Sequence, residues 1–251
     1  MKRVPLILLV ITIALTSVFA VNSFSKKAET YRNKGLSLFK AGKYNQALNE
    51  YDKALAIAPQ YAEVFVERGM TFLMLQQFDK ALSDLNQALE IKPLMRMGFY
   101  NRGLTYNKLA KNAEAIKDYT SAIELAPDFA EAYFNRGLSY KKLEKYKESL
   151  LDFNKVIELN PKNAQAYLQR GVVYGLLKET DSALKDYNIA LELNPKIPQI
   201  YYQRGLIYYN TSKDDYAIKD LERYINLAQN DPYLKQSIQE IQTILTSLKN
   251  K

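Results

Sequence analysis

The chain has 251 residues, an ordinary apolar content and a formal charge of +8, with 20 tyrosines and neither cysteine nor histidine. That composition excludes disulfides, thiol catalysis, Cys/His metal sites and any His-based triad, and it removes the acceptor for a lipid anchor behind a leader. Lys2, Arg3, Lys26 and Lys27 supply half of the charge excess and the rest is scattered, so no clustered basic surface for nucleic acid is expected.

In chain order, Met1-Lys2-Arg3 precedes residues 4–21, 18 residues without a charge. A basic start before an apolar run is read by export machinery. As a cleaved signal peptide, the run offers a weak processing site ending at Ala20. As an uncleaved anchor, it is longer than the roughly 7 to 15 residues of a signal core and reaches the about 17 to 25 a helix needs to cross a bilayer. A third reading is a buried helix over the first repeat. Both export readings put residues beyond 27 outside the cytoplasm, membrane-anchored or secreted/periplasmic.

From Ala28 onward the chain keeps a beat. Gly35, Gly69, Gly103, Gly137, Gly171 and Gly205 recur every 34 residues, as do Pro59, Pro93, Pro127, Pro161 and Pro195. A single globular core has no reason to count this way, whereas a solenoid does, because each unit buries its apolar face against a like neighbour. In Arg96–Phe129, Phe99, Tyr106 and Leu109 share a face at helical spacing, and Lys111-Asn112 falls where a short turn is wanted. A second stripe, Ala115, Tyr119, Ala122 and Ile123, runs to the stop at Pro127. The glycine lies mid-helix, at a cost of about 1 kcal/mol against alanine. Its recurrence implies close helix approach, with Ala47, Ala81, Ala115, Ser149, Ala183 and Ala217 as the small partners.

These residues resemble the tetratricopeptide repeat: aromatic, glycine and aromatic on one helix, then alanine, aromatic or leucine, alanine and proline on the next. Six units follow: 28–61, 62–95, 96–129, 130–163, 164–197 and 198–231. The resemblance implies an all-α, right-handed superhelical solenoid of stacked antiparallel helix pairs. Residues 232–251 follow as a capping helix, with Leu234, Ile238, Ile241, Ile244, Leu245 and Leu248 on one stripe.

Two departures from the family carry charge. Position seven of the units holds Lys34, then Arg68, Arg102, Arg136, Arg170 and Arg204; position 23 holds Glu50, Asp84, Asp118, Asp152, Asp186 and Asp220. Opposite charges in phase on paired helices suggest one structural ion pair per layer, with the guanidinium fork gripping a carboxylate. Ligand binding by these arginines is disfavoured, since a binding site needs variation along the stack.

The resemblance further implies that the first helix of each unit lines a concave face, read at positions 2, 5, 6, 9 and 12. Arg32, Asn33, Tyr100, Asn101, Asn107, Phe134, Asn135, Lys141, Gln169, Tyr202 and Gln203 are the candidate peptide contacts there, with Gln165 and Gln199 at position 2 of their units. Large side chains supply area and amides bond a peptide backbone. The family's clamp for chaperone C-termini is not expected, because Leu36 and Glu67 stand where it needs asparagines. The carboxylates and lysines recur with the repeat and form no unique acid–base constellation, so no catalytic residue, metal or cofactor is assigned. The expected function is a non-enzymatic scaffold, exported or tethered, that holds a peptide or helix of a partner protein during assembly. The alternatives are an accessory subunit of an envelope enzyme complex and, further off, a carbohydrate-binding or catalytic role.

Overall fold

A computed structural model describes residues 26–250. The expected signal or anchor at residues 4–21 lies outside the described residues; among those described, no helix is long and apolar enough to cross a membrane. The fold is all-α, with no strand among the described residues.

The chain divides into two compact units at Pro127/Asp128, two residues before the end of the third repeat. The first holds α1 (residues 26–40), α2 (Tyr44–Ile57), α3 (Ala62–Met74), α4 (Phe78–Ile91), α5 (Arg96–Lys108) and α6 (Asn112–Leu125). The second holds α7 (Ala130–Lys142), α8 (Tyr146–Leu159), α9 (Ala164–Leu176), α10 (Thr180–Leu193), α11 (Pro198–Asn210) and α12 (Asp214–Ala228). A 3-10 turn (Pro232–Leu234) then leads into α13 (Lys235–Lys249). Within each unit, helices pair in hairpins (α3 with α4, α9 with α10), and each pair packs on the next.

The hairpin turn is set by one backbone device. Its apex residue is left-handed in every repeat: Gly42 at φ 72°, then Gln76, Ala110, Glu144, Lys178 and Ser212 at 55° to 62°. Gln76 N–H donates to Leu73 O and Gln77 N–H to Phe72 O, the Schellman closure that satisfies the last helical carbonyls. Only the first repeat uses glycine, which takes this conformation without the roughly 1–2 kcal/mol a side chain adds. The turn after α5 therefore sits at Leu109–Lys111; of the expected Lys111-Asn112 it includes only Lys111, and Asn112 already begins α6.

The in-phase glycines serve a different neighbour from the one expected. A Cβ on Gly103 would lie 2.7 Å from the Tyr119 ring, and one on Gly171 would lie 2.6 Å from Tyr187. The residue at position 24 (Tyr51, Leu85, Tyr119, Phe153, Tyr187 or Leu221) drops its side chain into the space the glycine leaves and is fully buried. Each such burial stabilises the layer by about 1.5–3 kcal/mol. The small residue at position 20 contributes through its backbone instead, as where Ala183 O comes within 3.3 Å of the same point.

Both ends of the array depart from the repeat. Thr30 and Ser37 on α1 are exposed, where the matching Val64 and Thr71 on α3 are buried. At the other end Ile241 and Leu245 of α13 cover Leu221, Tyr224 and Ala228 of α12, and Leu248 of the same helix is also buried. Tyr224 occupies a place that is alanine or valine in the other repeats because it faces this cap, and its hydroxyl bonds Ser237 Oγ at 2.7 Å.

Candidate functional site

In the second compact unit, α7, α9 and α11 are the first helices of three consecutive pairs. Gln165 and Gln169 stand four residues apart on α9, as do Gln199 and Gln203 on α11, so each pair shares a helix face. With Lys141, Leu168 and Val172 they line an open hollow of about 380 Å³. Lys141 Nζ reaches from α7 to donate to Gln169 Oε1 at 2.5 Å. Burial, reinforced by Lys142 next to it, pulls the Lys141 ammonium below the ordinary lysine range. A second hollow of about 370 Å³, lined by Ala130, Glu131, Phe134, Asn135, Asn160 and Asn163, shares Gln165 with the first. Its floor is locally braced: Asn163 Oδ1 accepts the Ala166 N–H at 3.1 Å and caps α9, and Asn135 Nδ2 donates to Glu131 O at 2.8 Å.

The expected peptide contacts do not share one environment. Lys141, Gln169 and Gln203 meet in the first hollow, and Phe134 and Asn135 in the second. Phe134 also packs edge-on against Phe153 at 5.7 Å, and Tyr202 tilts against Tyr224 at 5.2 Å. Burial, then Glu240 and Tyr224, raises the Tyr202 phenol pKa. In the first compact unit, Arg32 is engaged by Glu67 through Nε and Nη2 and lies 5.7 Å from the Tyr61 ring; Asn33 beside it is exposed. Those bonds to Glu67 raise the Arg32 pKa, while burial outweighs Arg32 and raises that of Glu67. Tyr100 tilts against Tyr119 at 5.9 Å, and the Tyr119 hydroxyl accepts from Asn107 Nδ2 at 2.9 Å. Asn101, an amide expected to face a guest, is only 2% exposed, and its main-chain carbonyl accepts the Thr105 hydroxyl at 2.8 Å.

The in-phase charges form rungs. Arg68, Arg102, Arg136, Arg170 and Arg204 each donate through Nε and Nη2 to both oxygens of Asp84, Asp118, Asp152, Asp186 and Asp220, at 2.6–2.9 Å. Aromatic faces flank the guanidinium groups, as Tyr167 and Tyr174 do at 5.4 and 5.9 Å from Arg170. Sequence reasoning missed the third prong. Arg170 Nη1 donates to Asn154 Oδ1 at 2.7 Å and Arg204 Nη1 to Asn188 Oδ1 at 2.6 Å, so these two arginines also tie their repeats to the ones before. The signal was present: Asp52, Asn86, Asn154 and Asn188 fall on the same 34-residue grid, and Asp52 and Asn86 receive Arg68 and Arg102 at 2.6 and 2.7 Å.

A larger hollow, about 770 Å³, opens between α10 and α12. Three of its charged residues are committed to the fold, Arg204 to Asp220 and Asn188, and Glu222 to Lys249 of the cap at 2.6 Å, while Glu192, Lys219 and Arg223 also line it. Among the described residues no group of three or more carboxylates is placed to hold a metal ion. What the α7–α9–α11 face offers is amide donors and acceptors beside short apolar side chains and one ammonium, which is chemistry for binding a polypeptide.

Tetratricopeptide repeat models match residues 26–93, 130–163, 164–197 and 198–231, and a TPR repeat model matches 103–144. Among solved structures, Pseudomonas aeruginosa PilF superposes with a TM-score of 0.76 at 18% identity, over 88% of this chain and 99% of that one. YrrB, described as a TPR protein with an unusual peptide-binding site, gives 0.62 at 25% identity over 76% and 97%. A MamA crystal structure gives 0.61 at 23% identity over 68% and 93%. No curated protein matches the chain in sequence.

Proposed function

We propose, for a chain that belongs to the tetratricopeptide repeat family, a non-catalytic interaction module that holds a peptide segment of a partner protein along α7, α9 and α11. The observation that carries this reading is the amide-lined hollow, where Gln165, Gln169, Gln199 and Gln203 sit beside Leu168 and Val172. Side-chain amides bond either group of a peptide backbone, and the apolar residues give its side chains area. The peptide-binding site named for YrrB, a protein of the same fold, supports it. Residues 4–21 support, from sequence alone, export or tethering with the repeats outside the cytoplasm and a partner in the cell envelope.

A benzophenone side chain in place of Gln203 tests the site. It is expected to crosslink a partner inside living cells, through a peptide that mass spectrometry maps to one linear segment. The same group in place of the exposed Lys185 on α10 is expected to give none. Equal capture from both positions sinks the reading.

A further inference from the structure

The face that holds the hollow changes charge along the repeats. Position 2 is glutamate in Glu29, Glu63 and Glu131 but glutamine in Gln165 and Gln199; position 6 carries Glu67 early and Gln169 and Gln203 late. Around the first hollow no carboxylate lines the wall, and the one formal charge is the Lys141 ammonium. The nearest acid of the adjoining hollow is Glu131.

Hydrogen-bond bookkeeping adds to this. An ammonium only donates, so Gln169 must turn Oε1 toward Lys141 and is left with its Nε2 hydrogens as donors. Lys141 keeps further hydrogens beyond the one given to Gln169. The side-chain amides of Gln165, Gln199 and Gln203 have no hydrogen-bond partner among the described residues. The Lys141–Gln169 corner is therefore a cluster of donors with a net positive charge, held partly out of water where a charge-assisted bond is strong.

We propose that this corner selects partner peptides carrying an aspartate or glutamate side chain, which Lys141 Nζ and Gln169 Nε2 hold while Gln199 and Gln203 bond the adjoining peptide backbone. The inference rests on the peptide-binding reading and names its specificity. A carboxylate supplies only acceptors, which is what the corner lacks. It also offsets the cost of holding the ammonium away from water, the cost that lowers the Lys141 pKa in the free protein. A basic or apolar side chain leaves that cost in place.

The test uses full-length protein in detergent micelles and a library of random short linear peptides, each made with an amidated and with a free C-terminus. Bound peptides are expected to be enriched in internal Asp or Glu irrespective of amidation. Lys141→Met should weaken their binding about tenfold, the effect of one lost charge-assisted bond, while Lys141→Arg keeps most of it. Melting curves of both variants check that each is folded. Peptides that crosslink from position 203 without acid enrichment, or that ignore Lys141→Met, overturn the acidic anchor and leave the peptide-binding reading standing. Binding that needs the free C-terminus overturns the side-chain anchor in favour of a chain end. No crosslink from position 203 overturns both.

Discussion

One substitution, glycine to alanine, should have three different effects on this protein. In a helix it gains up to about 1 kcal/mol from propensity alone. At Gly103 the new methyl would meet Tyr119 ring carbons at 2.7, 2.9 and 3.1 Å. That ring is wholly buried and its hydroxyl is held by Asn107, so it cannot swing aside. Overpacking of this kind costs about 1–3 kcal/mol, so Gly103→Ala should be destabilising by up to about 2 kcal/mol net. At Gly137 the nearest atoms are Phe153 at 3.1 Å and Asp152 Cβ at 3.2 Å, looser than at Gly103, so a shift of about a few tenths of an ångström restores contact. Gain and cost there should nearly cancel. At Gly175 the nearest atom is Tyr187 Oη at 4.0 Å, and Gly175→Ala should stabilise by about 0.5 kcal/mol, less than the full propensity because it lies in the last turn of α9. Urea unfolding followed by circular dichroism and by tyrosine fluorescence measures all three, with agreement of the probes checking cooperativity. If Gly103→Ala stabilises as much as Gly175→Ala, the steric account of the 34-residue glycine comb is wrong.

Two further outcomes follow from the charged rungs. Arg170→Lys should cost about 1–2 kcal/mol because one ammonium cannot reach Asp186 and Asn154 together, whereas Arg170→Met should cost about 3–5 kcal/mol by leaving Asp186 buried and unpaired. Glu50 makes a pH-dependent contribution. Its hydrogen bond from Lys53 outweighs burial and, with Lys34, depresses the folded carboxyl pKa, so its stabilisation is full above the unfolded value and vanishes as pH falls through the folded one. Melting curves from pH 7 downward should show the parent more stable than Lys34→Met/Lys53→Met at neutral pH, with the gap closing as pH falls below the ordinary glutamate value of about 4.3.

Much of the architecture was readable before any coordinates, for a physical reason. In a repeat protein each unit solves the same local packing problem, so glycine, proline, arginine and aspartate recur on one grid and the grid exposes the helix pairing. Arg170 and Asp186 share that grid, and the 16 residues between them place them on paired helices, where the structure brings them within 2.7 Å. The amphipathic stripe of residues 234–248 likewise needed only helical spacing, and the structure lays it on α12. Left-handed residues such as Gln76 and Lys178 were not readable, because nothing in a glutamine or lysine announces a positive φ that the closing helices impose.

The candidate site divides along the same line. Sequence alone determined that the chain is an array of helix pairs and which faces of the first helices carry amides and aromatics, because helical periodicity fixes a residue's face. It could not determine which of those residues meet open space. Asn101 and Gln169 hold the same position in their repeats, yet one is buried and the other lines a hollow. Phe134 and Tyr202 belong partly to the rings beneath them. Tertiary structure decided this, since exposure on a stacked helix depends on the side chains of its neighbours, and those vary from one repeat to the next while the backbone grid does not.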